Sequence, residues 1–145
     1  MTQDDDMGDL AAALARAEAA VKALARDYLG WAQADLAQCR QHLAAATVAP
    51  DNCTAPIADL FGIAHNIKGQ GASFNYPLMT QLGDSLCLLT RDSQHFNPAS
   101  LPLVAAHLDL MDEILTGEIS GPGDDAIQAR TQQLREAVSA IVGGD

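Results

Sequence analysis

Positive charge is scarce in this chain: 8 lysines and arginines stand against 19 aspartates and glutamates, a formal net charge of −11. So acidic a surface repels phosphate backbones and anionic lipid on average, which removes nucleic acid from the expected partners. Long apolar runs are missing as well. No stretch approaches the roughly 20 consecutive apolar residues that a membrane-spanning helix needs. The opening Met1-Thr-Gln-Asp-Asp-Asp is the reverse of a basic signal-peptide head, so a cytoplasmic protein without membrane contact is expected. Cysteine is confined to Cys39, Cys53 and Cys87, an odd number without C-x-x-C spacing, which reads as reduced core thiols. Aromatics are only 4% of the residues, so the core must come from alanine and aliphatic side chains. That mixture favours helices packed closely on one another over a sheet.

What is present is helical periodicity with regular punctuation. Asp9 is placed to cap a first helix with an apolar stripe at Leu10, Leu14, Ala17, Val21 and Leu24. From about Asp27 the stripe changes phase to Leu29, Ala32, Leu36, Cys39 and Leu43, which marks a second helix or a continuation bent near Gly30. Thr54, with Pro56 in the first turn, is placed to cap a helix carrying Ile57, Leu60, Phe61, Ala64 and Ile67. Asn75 before Tyr76-Pro77 repeats that signature for Leu78, Leu82, Ser85 and Leu89. Asn97-Pro98 opens a helix with Leu101, Val104, Leu108, Met111 and Leu115, and Asp124-Asp125 one with Ile127, Thr131, Leu134, Val138 and Ile141. Short connections between amphipathic helices predict an all-α, antiparallel up-and-down four-helix bundle with accessory N- and C-terminal helices. The whole of 1–145 reads as a single domain, its core at about 27–115. The run Asp4-Asp5-Asp6 reads as a solvated, frayed end.

One segment looks chemical. Phe61-Gly-Ile-Ala-His-Asn-Ile-Lys-Gly-Gln-Gly71 holds three glycines in a helical stretch, although each costs roughly 0.5–1 kcal/mol relative to alanine. Gly62 lies three residues before His65 and Gly69 four after it, so both share its face of the helix. The imidazole then stands in a clearing near the edge of the apolar stripe, with Lys68 one turn on. An accessible neutral imidazole beside a cation is what a phosphate-carrying nucleophile requires. His42, His95 and His107 lack such surroundings, and no pair of histidines has metal-ligand spacing, so no metal site is expected. Phe74, Tyr76 and Met79 read as core, with an apolar docking patch as the alternative.

His65-Asn-Ile-Lys68-Gly69-Gln-Gly-Ala-Ser-Phe74-Asn-Tyr76 resembles the active segment of histidine-containing phosphotransfer (HPt) domains, and is particularly similar to the phosphate-accepting domain of chemotaxis histidine kinases. The resemblance implies a two-component phosphorelay intermediate. His65 would accept a phosphoryl group from a receiver aspartate or a kinase, Lys68 would offset its charge, and Gly69 would keep the approach open. The implied partners are response-regulator receiver domains and a sensor histidine kinase. The receiver is expected to bring Mg2+ and most catalytic groups, so this chain would be a carrier with no cofactor of its own rather than an enzyme. Two positions depart from the family pattern. Asn75 stands where a turn glycine is common, and Cys87 where a Gln or Glu often hydrogen-bonds the ring. Asp84, three residues before Cys87 and on roughly the same face, is the candidate imidazole-orienting substitute. A helical interaction module that has lost phosphotransfer is the main alternative, and a metal-dependent helical enzyme a more distant one. A monomer is the expected state, although the first helix is amphipathic enough either to pack on its own bundle or to pair with another chain.

Overall fold

Alanine at positions 11–13, 15, 17, 19, 20, 23 and 25 makes the first segment a strong helix former. In the computed structural model, which describes residues 3–143 and their side chains from Asp6 onward, α1 runs unbroken over Gln3–Val48. Its 46 residues make a rod roughly 69 Å long at about 1.5 Å per residue. The chain therefore neither starts a helix at Asp9 nor divides at Gly30. Gly30 faces open space, and its cost of about 1 kcal/mol is too small to end a helix among so many good helix formers. The Asp4–Asp6 backbone, expected to fray, belongs to α1; the side chains of Asp4 and Asp5, like Met1 and Thr2, lie outside the described residues.

The stripe at the start of α1 is not buried. Leu10, Leu14, Val21 and Leu24 are 62%, 55%, 65% and 50% exposed. Packing begins at Tyr28, and Tyr28, Ala32, Leu36 and Cys39 lie in the core. Beyond it come α2 over Thr54–Gly71, α3 over Pro77–Thr90, α4 over Leu101–Thr116 and α5 over Asp125–Val142. Helix α2 packs against α1 and α3, and α4 packs against both α1 and α3, so these four close a ring. Helix α5 lies mainly along α3. One core joins Tyr28 to Val138 through all five helices, and a smaller cluster of Ala46, Cys53, Ile57 and Leu101 closes one end. The described residues form no strand, and no described helix is long and apolar enough to cross a membrane. All three cysteines are buried and free, as read from the sequence.

Two expected caps do not form. Thr54 is itself helical and Cys53 takes the cap position without a side-chain bond. Asn75 has left-handed backbone angles (φ 65°, ψ 36°), outside the extended region that an N-cap residue needs, and Tyr76 precedes α3 instead. Asp124 caps α5, accepting from the Ile127 N–H, whereas Asn97 accepts from the Ala99 N–H at the head of a short 3-10 turn, Pro98–Ser100, and α4 follows Ser100, which makes no side-chain cap bond.

A buried polar cluster sits inside the ring. His107 is fully buried, its Nδ1 2.7 Å from the Leu103 carbonyl and its Nε2 2.8 Å from Ser85 Oγ. A carbonyl only accepts, so Nδ1 carries the proton and Nε2 accepts from the serine hydroxyl, leaving the ring neutral. Burial lowers the His107 pKa, partly opposed by the Leu103 bond. The unfolded chain then binds the proton more readily, and stability falls as pH drops below the free-histidine value of about 6.5, by at most about 1.4 kcal/mol per pH unit. Urea midpoints measured between pH 7.5 and pH 5.5, with an NMR titration placing His107 below free histidine, check this result.

Candidate functional site

Helix α2 buries Ile57, Leu60, Ala64 and Ile67 and thereby turns the opposite edge, with His65, to solvent. The imidazole is exposed, and among the described residues neither ring nitrogen makes a hydrogen bond. Phe61, one turn earlier, lies with its ring centroid 6.3 Å from the imidazole centroid. A Cβ added at Gly62 or Gly69 would meet nothing within 4 Å. Packing therefore does not require glycine at either position. The predicted clearing around His65 is present, open enough for an electrophile carried by another molecule. On its Gly62 side a groove between α1 and α2 is lined by Asp35, His42, Asp59 and Asn66. Asn66, next to His65, donates to Asp35 at 3.1 Å and ties α2 to α1. Burial raises the Asp35 pKa, and the Asn66 bond opposes the shift.

The other histidines are occupied. His107 is locked in the core, His95 Nδ1 lies 3.0 Å from the Asp92 carboxylate, and His42 faces Asp59 at 3.9 Å.

Lys68 and Asp84 come together, but not in the roles expected of both. Lys68 Nζ lies 2.8 Å from Asp84 Oδ1. The hydrogen bond and charge of Asp84 raise the Lys68 pKa, which holds the ammonium charged one turn from His65. Asp84 thus orients the lysine, and its expected hydrogen bond to the imidazole is not made. The reason is register: Gly83 packs on the Lys68 backbone, so the next residue of α3 lies level with the lysine. Cys87 does not replace the missing group. It is buried, burial pushes its thiol up to about 11, and it stays protonated. Asp84→Ala is expected to lower the Lys68 titration midpoint in an NMR experiment; an unmoved midpoint would show that the carboxylate does not hold the ammonium. Because the two side chains are 45% and 33% exposed, little effect on thermal stability is expected.

Three residues that hold the site escaped the sequence reading. Gly83 is one: a Cβ there would lie 2.8 Å from the Lys68 nitrogen and 2.9 Å from its Cα, so only glycine lets α3 approach α2 this closely. Gly71 is another, its Cβ position 2.6 Å from Thr80 Oγ1 and 2.7 Å from the Tyr76 carbonyl oxygen. Thr80 is the third, donating to the Lys68 carbonyl at 3.0 Å and accepting from the Ala72 N–H at 2.8 Å. It satisfies backbone groups at the end of α2 that the helix itself leaves open. The cost of a helical glycine, which drew attention to Gly62 and Gly69, applies equally to Gly83. Tyr76 and Met79 are core rather than docking patch, and Phe74 is half-buried, stacked on Tyr28 with centroids 4.9 Å apart.

Among the described residues, no group of three or more His, Cys, Asp or Glu side chains is arranged to hold a metal ion. Comparison with protein-family models, with curated proteins and with solved structures finds no match for this chain.

Proposed function

We propose that this chain is a histidine phosphotransfer protein, with α1 to α4 as an antiparallel up-and-down four-helix bundle and the α1 start and α5 as accessories. One observation carries the reading: His65 is exposed and makes no hydrogen bond to any described residue, between two glycines whose faces are open. The neutral imidazole attacks the phosphorus of a receiver's aspartyl phosphate. A P–N bond forms, the P–O bond to the aspartate breaks, and the carboxylate leaves. The ring loses its other nitrogen's proton to the solvent it already faces. Transfer onward to a second receiver reverses these steps. Lys68 supplies positive charge for the phosphoryl oxygens, and Asp84 holds it in place. The partner receiver, with its Mg2+, or a sensor kinase provides the remaining catalysis. On this reading the chain is a cytoplasmic carrier and not an enzyme.

The alternative, an interaction module without transfer, draws on Cys87: with a buried thiol where the family often has Gln or Glu, no described residue orients the ring. Incubation with phosphorylated receivers or kinase separates the two. Transfer yields acid-labile, base-stable phosphate on the chain, absent from His65→Ala. No label from any cognate donor leaves the interaction module.

A further inference from the structure

The exposed start of α1 is a coiled-coil seam without a partner in the single chain. Met7, Leu10, Leu14, Ala17, Val21 and Leu24 follow one another at steps of three and four, and all are exposed. This is the a/d repeat of paired helices, narrower than the stripe of a helix lying on a globular core. Alanine at 11, 13, 20 and 25 flanks the seam, which lets a second helix come close. A helix meant to stand alone in water is polar all round, whereas Leu10, Leu14, Val21 and Leu24 on one side of this segment are each at least 50% exposed.

The charges select the occupant. Asp4, Asp5, Asp6 and Asp9 crowd the beginning of the segment, whereas Arg16, Lys22 and Arg26, three of the chain's 8 cations, lie in its second half with Glu18. Two copies side by side in the same direction would set acidic end against acidic end. Running in opposite directions, each acidic end meets a basic end. We propose that the protein dimerises through antiparallel pairing of this helix with that of a second copy. Met7 then faces the partner's Leu24, Leu10 the partner's Val21 and Leu14 the partner's Ala17, with Asp9 level with the partner's Lys22. An anionic membrane is a poor occupant for a protein of net charge −11. The proposal stands whether or not His65 carries phosphate.

Sedimentation of the full chain from micromolar to millimolar concentration is expected to give twice the 15.2 kDa monomer mass. Leu14→Lys with Val21→Lys returns the mass to that of the monomer. Both side chains are already exposed, so the body from Tyr28 onward keeps its fold, shown by continued protection of the buried Cys39, Cys53 and Cys87 thiols. Under mild oxidation, Met7→Cys mixed with Leu24→Cys forms a cross-linked dimer and Leu24→Cys alone does not. A monomer mass throughout overturns the proposal, as does a dimer that survives the two lysines. Cross-linking of Leu24→Cys only with itself overturns the antiparallel direction.

Discussion

His65→Ala is expected to abolish incorporation of acid-labile phosphate while leaving the unfolding midpoint almost unchanged. Both halves of that result come from the same geometry. The imidazole is exposed and makes no hydrogen bond, so its removal opens no cavity and orphans no polar partner. Alanine is also the better helix former at a mid-helix position. The contrast is His107→Ala, which empties a fully buried site and strips Ser85 Oγ of its partner. Leaving that buried hydroxyl unsatisfied costs about 1–3 kcal/mol before the cavity is counted, yet what remains folded still takes the label. Quantifying phosphate after alkaline and acid treatment, alongside urea denaturation of both variants, distinguishes a carrier residue from a structural one. Label that persists in His65→Ala and disappears in another histidine variant would move the site.

Gly83→Ala and Gly69→Ala are expected to have opposite signs in stability and the same sign in transfer. At Gly83 the added methyl meets the backbone nitrogen and Cα of Lys68, atoms that cannot swing aside. The α2–α3 pair must part, at a cost of about 1–3 kcal/mol, or roughly 4 °C of melting temperature per kcal/mol for a domain of this length. Parting also draws Asp84 away from Lys68. At Gly69 the methyl enters open space, and the fold gains about 0.5–1 kcal/mol from the loss of glycine's flexibility. Transfer nevertheless falls, by on the order of 10²-fold if the methyl holds the phosphoryl donor about 1 Å off line. A Gly69→Ala protein that is both more stable and fully active would show that the clearing beside His65 has no use.

The two kinds of glycine also mark the boundary between what helical spacing dictates and what packing decides. Helices α2 to α5 were legible because each has a neighbour to cover most of its stripe: Ile57, Leu82, Leu108 and Ile127 lie inside, although Ile141, at the end of α5, is 52% exposed. Leu14 and Val21 follow the same periodicity and lie outside. A periodic pattern names the apolar side of a helix but not whether anything lies against it. The caps at Thr54 and Asn75 failed because capping depends on backbone angles, which residue type only biases. The face carrying His65, Gly62, Lys68 and Gly69 followed from helical spacing alone. The Lys68–Asp84 pair did not, because it depends on the register between two helices, set by the contact of Gly83 with the Lys68 backbone.

The aromatic stack at the root of the projecting helix gives the molecule a built-in optical probe. Trp31 is the chain's single tryptophan, 49% exposed, and its ring meets Phe74 edge-on at 6.0 Å. Phe74 in turn lies on Tyr28, the first buried side chain of α1, in the turn directly after the His65 helix. The indole thus sits where the free rod joins the packed body and where the end of α2 comes to the surface. Its emission colour will register water leaving the end of α2, so one unlabelled fluorophore follows the arrival of a visitor at the end of the histidine helix.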